Sequence, residues 1–262
     1  MITATNPPRF LIIQTAFIGD VILATALFEQ LHTAYPEAVL DVLVRKGNET
    51  LLTNHHFLNE VLVWHKKGTK YRDLWRLLRT IRARKYDAVL NLQRYGTMGL
   101  LTALSGAGTT IGFDKNPFSH FFTHRIAHRF EPGTHEVDRN TGLLKALQSV
   151  PDFQPHSLSR QALARPKLYP SQADYNAVHT YQHKPYVCIA PMSVWFTKQY
   201  PSERWVELIK ALPDDLTIYL LGAPTDVHAC DAIRAMAGST KQVVNLAGKL
   251  SLLQSAALTG EA

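Results

Sequence analysis

Over the first 115 residues, short apolar runs alternate with stretches whose apolar positions recur every three to four residues. Phe10–Gln14 (FLIIQ) is apolar almost without a break, the pattern of a strand buried on both faces. Val39–Val44, Glu60–Trp64, Asp87–Leu92 and Thr109–Phe113 predict four more strands. Between them, Gly19–Ala34 puts Val21, Leu23, Ala24, Leu27, Phe28 and Leu31 at helical spacing, and Pro36 marks its exit. Lys70–Lys85 reads as a second helix, with Leu74, Leu77, Leu78 and Ile81 on one face, and Gly96–Leu104 as a short third. Strands separated by helices imply right-handed crossovers and a parallel sheet.

Lys115–Arg129 is aromatic and basic without a clean period and reads as a loop or broken helix. Glu136–Gln148 resumes a helix. Pro151, Pro155, Pro166 and Pro170 then punctuate a weakly patterned stretch that suits a domain connection. A second α/β unit starts near Pro185. It has predicted strands at Tyr186–Ala190, Leu216–Leu221 and Gln242–Asn245, and helices at Ser202–Leu212, Thr225–Ala237 and Ser251–Leu258. Ser202 is placed as an N-cap. The expected organisation is a first domain over residues 1–165, a connection over 166–184 and a second domain over 185–262.

Composition narrows the function classes. The chain has 262 residues, 46% of them hydrophobic and 19% charged, which is globular. Two cysteines, Cys188 and Cys230, exclude a disulfide framework and a multi-cysteine metal site. No run approaches the roughly 18 apolar residues that would span a bilayer. Met1–Arg9 lacks the layout of a signal peptide, so the expectation is a cytoplasmic protein. The net charge of +7 favours acidic partners. It has a visible source. Lys66, Lys67, Lys70, Arg72, Arg76, Arg79, Arg82, Arg84 and Lys85 fall within twenty residues, offset only by Asp73. Such a run is commonly a solvated helix face. An amphipathic cationic helix also suits a phospholipid surface or an acidic acceptor, and Arg76 and Arg79 are candidates for the latter. No nucleic-acid-binding module accompanies the patch.

Three strand-to-helix loops could carry chemistry. Gln14–Val21 contains Gly19, which permits close backbone approach, and Asp20, a carboxylate able to take a proton from a hydroxyl or simply to cap the helix. Neither G-x-G-x-x-G nor G-x-x-x-x-G-K-[ST] occurs there. Ala190–Pro201 offers Ser193, Thr197 and Lys198, groups that suit a phosphate, or that belong to an ordinary surface loop. Leu221–Asp226 ends in Asp226, which either accepts from sugar hydroxyls or caps. His120, His124 and His128 could share a helical face, but no H-E-x-x-H accompanies them and no metal site is expected.

Several segments in order resemble glycosyltransferase family 9, the ADP-heptose:lipopolysaccharide heptosyltransferases. They are Arg9–Ile13 followed by Ile18–Thr25, then Tyr35–Ala38 and Val44–Lys46. His135–Asn140 resembles the family's H-x-V-[DE]-R-N, Lys198–Pro201 with Glu203–Trp205 its K-x-[WY]-P-x-x-x-W, and Asn245–Leu252 its N-L-x-G-[KR]-[TL]-S-L. The resemblance implies a GT-B fold of two Rossmann-like domains around a cleft, the first on the acceptor side and the second holding the nucleotide-sugar. Family members continue beyond the last segment and carry D-S-G-x-x-H, which this chain lacks, so the second domain is expected to be incomplete. Carried over by position, Asp20 matches the general base. Ser193, Thr197, Lys198 and Asp226 match the donor side, and Gly19, His135 and Arg139 lie on the acceptor side. The implied reaction is inverting, independent of metal and of any resident cofactor. It moves a heptose from ADP-heptose onto the anionic lipopolysaccharide core, with a peripheral contact at the inner face of the inner membrane. Two other readings stand beside it: a non-catalytic remnant that binds anionic glycolipid or membrane, and an unrelated Rossmann-type nucleotide-binding enzyme.

Overall fold

A computed structural model describes residues 7–66, 70–129, 131, 133–153 and 165–262. Lys67 and Pro155, singled out above, lie outside the described residues, as does the side chain of Lys70. The chain divides into two compact units, Met1–Leu168 and Tyr169–Ala262.

In the first unit the elements are β1 (Arg9–Ile13), α1 (Ile18–Ala34), β2 (Val39–Arg45), β3 (Leu58–Trp64), α2 (Lys70–Arg84), β4 (Ala88–Asn91), α3 (Gly96–Ala103), β5 (Thr109–Phe113), β6 (His124–Ile126) and α4 (Glu136–Gln148). All six strands pair parallel, in the order β3-β2-β1-β4-β5-β6. Phe10 to Ile13 of β1 are fully buried, as an unbroken apolar run in a sheet covered on both faces requires. Leu77, Leu78 and Ile81 of α2 pack with Met98 and Leu101 of α3 over Leu11, Ile13, Leu43 and Val89. α1 and α4 pack against each other. The apolar stripe read on α2 is therefore its core-facing side.

Lys115–Arg129 departs from expectation. It contains a single 3-10 turn, Ser119–Phe121, and the short edge strand β6. Three residues, His-Arg-Ile, show no alternation to read. β6 is held instead by tertiary bonds: the Asp114 amide donates to the Ile126 carbonyl (2.9 Å), and Thr110 and Thr123 exchange backbone-to-hydroxyl bonds at 2.8 and 3.0 Å. His120, His124 and His128 accordingly fall in a turn, a strand and a following loop, and share no helical face.

The second unit contains α5 (Gln172–Val178), β7 (Tyr186–Ile189), α6 (Ser202–Ala211), β8 (Thr217–Leu220), α7 (Val227–Ala237), β9 (Gln242–Asn245) and α8 (Leu252–Thr259). Its strands pair parallel in the order β7-β8-β9. Alternate residues feed two cores. Ile189, Ile218 and Leu220 meet Val206, Ile209, Cys230 and Ile233, while Tyr186 and Tyr219 meet Val178, Ala257 and Leu258. α5 was not predicted, because only Val178 is buried in its seven residues. Ser202 is the first helical residue and not the cap; Pro201 occupies that position, and its carbonyl accepts from the Arg204 and Trp205 amides. Burial pushes the Cys188 and Cys230 thiols up to about 11, as inert packed cysteines. Among the described residues no helix is long and apolar enough to cross a membrane.

A buried carboxylate ties β2 to the end of α2. Asp41 is fully buried and accepts from Arg84 Nη1 (2.8 Å), the Tyr86 hydroxyl (2.5 Å) and Asn59 Nδ2 (2.7 Å). Arg84 also pairs with Glu60. Burial and the Asp41 carboxylate hold the Tyr86 hydroxyl protonated, well above its usual range. Asp41→Ala should leave Tyr86 and Asn59 without their acceptor and Arg84 with Glu60 alone, and cost about 3 kcal/mol, read as a lowered urea midpoint. The sum stays at the low end for a broken buried pair because Arg84 reaches solvent.

His55 gives stability a pH dependence. Burial, then the neighbouring charges of His56, His32 and Lys167, lower its imidazole to about 4. The unfolded ring binds its proton near pH 6.5, so between about pH 6.5 and 4 the unfolded chain holds more protons than the folded one. The contribution of the neutral ring is complete above that window and falls away as pH drops through it, by up to about 2–3 kcal/mol. Denaturation midpoints measured from pH 7 to pH 4.5 should decline, and His55→Gln should flatten that decline.

Candidate active site

Because the nine described strands run parallel within their sheets, the loops leaving them share one edge of each sheet. Ligands gather at that edge in open α/β sheets, at the point where strand order reverses. In the first unit this point lies between β1 and β4.

The loop after β1 is fixed from both sides. Gln14 Oε1 accepts from the Ala16 amide (3.3 Å) and from Gln93 Nε2 on the β4 loop. Asn116 Nδ2 donates to the Gln93 and Tyr95 carbonyls at 2.8 and 3.1 Å. From the other side, Asn48 Nδ2 donates to the Ala16 carbonyl (2.9 Å), and the Arg45 guanidinium lies 4.6 Å from the centre of the Phe17 ring. Of these residues, Asn48, Gln93 and Asn116 did not stand out in the sequence as functional. Their signal is a polar amide directly after an apolar strand, in FLIIQ and in AVLNLQ, and it gains meaning only once β1 and β4 are known to be neighbours.

Gly19 lies in the first turn of α1, and a Cβ placed on it would meet nothing within 4 Å. The fold itself does not demand glycine there. Asp20 is half-buried, and its Oδ2 accepts from the Phe17 amide at 3.0 Å. The cap reading of Asp20 is thus realised. The same bond recurs at Asp138 to His135 (3.1 Å), Asp174 to Ser171 (2.8 Å) and Asp226 to Ala223 (2.8 Å). Asp20 Oδ1 makes no hydrogen bond among the described residues.

His135 is the cap of α4, its Nδ1 accepting from the Val137 amide at 3.2 Å. Arg139 donates to the Thr134 carbonyl (3.1 Å) and pairs with Glu136. His128 has its imidazole lowered by burial, against Glu136 and with Arg139 and Arg94. α4 packs against β5 and β6. Arg76 is spent locally: its guanidinium holds Asp73 (2.7 Å) and reaches the Val63 carbonyl, while Asp73 also accepts from the His65 amide at 2.6 Å. Arg79 faces outward over Trp75.

In the second unit, Ser193, Thr197 and Lys198 lie on the loop after β7, with Thr197 and Lys198 exposed in a 3-10 turn. The Ser193 hydroxyl accepts from the Trp195 amide (3.2 Å). Asp226 follows β8, and its Oδ1 takes a long 3.4 Å bond from Thr225. Gly248, after β9, sits at φ +70°, and a Cβ there would come within 2.9 Å of Pro224, so the β8 and β9 loops can close on each other only with glycine at this position. The Gly248 amide donates to the Gly222 carbonyl at 2.9 Å. Among the described residues no group of three or more His, Cys, Asp or Glu side chains could hold a metal ion.

Residues 74–262 match the sequence model of glycosyltransferase family 9 (heptosyltransferase). Lipopolysaccharide heptosyltransferase 3 of Escherichia coli K12 is 26% identical over 259 residues, 93% of this chain and 72% of that protein. Two solved structures share the fold. E. coli ADP-heptose LPS heptosyltransferase II gives a TM-score of 0.76 at 22% identity, over 95% of this chain and 76% of that one. E. coli heptosyltransferase WaaC with ADP-2-deoxy-2-fluoro heptose gives 0.72 at 22%, over 97% and 80%.

The cap can be separated from any other role of Asp20. Asp20→Ala should cost about 1 kcal/mol in chemical denaturation, and Asp20→Asn, which keeps an acceptor for the Phe17 amide, should restore most of it. Equal losses in the two variants would assign the effect to the carboxylate's charge at the helix dipole.

Proposed function

The chain belongs to glycosyltransferase family 9, the heptosyltransferases, and on that premise we propose that it transfers a heptose from ADP-heptose to the inner core of lipopolysaccharide. The names of the similar proteins support this donor and acceptor. Membership of the family sets aside an unrelated nucleotide-binding enzyme.

One observation carries the mechanism. Asp20 stands at the carboxyl end of the central strand with one oxygen fixed by the Phe17 amide and the other unbonded among the described residues. Asp20 Oδ1 takes the proton of an acceptor hydroxyl as that oxygen attacks C1 of the donor sugar from the face opposite the diphosphate. The bond from C1 to the phosphate oxygen breaks, ADP leaves with the electron pair, and the anomeric centre inverts. Lys198 neutralises the departing diphosphate, with the Ser193 and Thr197 hydroxyls donating to it, so that neither a metal nor a resident cofactor is needed. Asp226 accepts from hydroxyls of the donor. Gly19 leaves open space for the acceptor, and His135 and Arg139 face it. Arg76, which also holds Asp73, and Arg79 offer further guanidinium groups to the anionic acceptor. In this reading residues 1–165 form the acceptor-side domain and residues 185–262 the donor side. The enzyme works at the cytoplasmic face of the inner membrane in peripheral contact with it.

Transfer is measured by mass spectrometry with ADP-heptose and a heptose-free core acceptor. Asp20→Asn should lower kcat by about 10²–10⁴-fold while ADP affinity holds. Turnover near the parent rate in that variant sinks the base assignment. Lys198→Ala should weaken ADP binding in calorimetry. If the full chain binds no ADP-heptose at all, the donor reading fails and a non-catalytic glycolipid-binding protein takes its place.

A further inference from the structure

We propose that the outer face of α2 is a docking surface for an anionic phospholipid bilayer, with Trp75 and Tyr71 seated at headgroup level and Arg72, Arg79 and Arg82 on lipid phosphates. At 100° per residue, Leu74, Leu77, Leu78 and Ile81 face the sheet, and Tyr71, Arg82, Trp75, Arg79 and Arg72 follow one another round a single exposed flank beside that stripe. Tyr71 is 79% exposed and Trp75 59%. Two large aromatic rings are thus exposed at i and i+4, and the ring of Trp75 takes no part in the core of this unit.

The charge of this face is unbalanced for a structural reason. The one carboxylate of α2, Asp73, is buried and engaged by Arg76 and the His65 amide. Arg84 turns inward to Asp41 and Glu60. The ion pairs of the helix thus consume Arg76 and Arg84 and leave Arg72, Arg79 and Arg82 to solvent. The Arg79 guanidinium lies 5.7 Å from the Trp75 ring centre, which joins a cation to an amphipathic ring on one surface.

A bilayer fits this combination better than a macromolecule does. Trp and Tyr prefer the water–hydrocarbon boundary, where ring and polar tip are both satisfied, and arginine stems lie along apolar surface while their heads stay in the phosphate layer. A helix of this kind lies in the plane of the interface and needs no shape match. The face is convex, whereas single-stranded nucleic acid calls for a basic groove that tracks the backbone. The proposal deepens the peripheral membrane contact inferred above but does not depend on sugar transfer.

The test is vesicle flotation of the full chain with no glycolipid and no donor present, so loss of binding and loss of transfer are separate results. Vesicles of 30% phosphatidylglycerol in phosphatidylcholine are compared with pure phosphatidylcholine at low salt. The protein should partition onto the anionic vesicles only. The triple variant Arg72→Gln, Arg79→Gln, Arg82→Gln should bind on the order of a hundredfold less, at roughly fivefold per cation. Trp75→Ser should also weaken binding and keep the circular-dichroism spectrum of the parent, since its side chain is exposed. Equal binding to both vesicle types, or unchanged binding in the triple variant, overturns the proposal. So does loss confined to Trp195→Ser with Phe196→Ser, the exposed aromatic segment of the second unit, which would move the contact there.

Discussion

The pairing of β1 with β2 on one side and β4 on the other is the constraint from which the first unit follows. The ladder runs until the Gln14 amide bonds the Leu43 carbonyl and the Leu92 amide bonds the Ile13 carbonyl. Beyond those bonds the chain leaves β1 for α1 and leaves β4 for α3, which belongs to the layer shared with α2. Two neighbouring strands whose connections diverge open a gap at the carboxyl edge, and backbone polar groups there need partners. The side-chain amides of Gln14 and Asn116 supply them from within, and that of Gln93 donates to Gln14. The loop after β1 is thus tied to its neighbours by side-chain bonds from Gln93 on one side and Asn48 on the other.

The position of Asp20 has a dual logic. A carboxylate at the third helical residue answers an orphan amide and favours the helix dipole. Asp138, Asp174 and Asp226 do the same, so the bond itself says nothing about chemistry. What separates Asp20 is location, since it alone of the four follows the central strand of the six-stranded sheet. The cap consumes Oδ2 and in doing so fixes the rotamer, which leaves Oδ1 in a defined direction. A single side chain can therefore be structural through one oxygen and reactive through the other.

Legibility in the sequence tracked how local the determining interaction is. β1, β2, β4 and β5 and helices α1 to α4 were readable, because burial on one or two faces imposes a period on consecutive residues. β6 and α5 were not: the first is held by threonine and backbone bonds from distant segments, and the second buries a single side chain. The motif residues Asp20, Lys198 and Asp226 could be named from loop position and family resemblance. Asn48, Gln93 and Asn116 could not, since each acts on a loop tens of residues away. Arg76 and Arg84 were read as part of a uniform cationic run, yet each is tied to a buried acid that only folding brings near.

Those two ties also determine what α2 presents. Asp73 with Arg76 and the His65 amide pins the first half of the helix to the exit of β3. Asp41 with Arg84 and Tyr86 pins its end to β2. A helix fixed at both ends cannot roll, so the residues outside its apolar stripe have a set direction. The buried acids therefore do more than offset local charge. They hold Arg72, Trp75, Arg79 and Arg82 on one exposed surface, and they divide a run of cations into those that build the fold and those free to meet a partner.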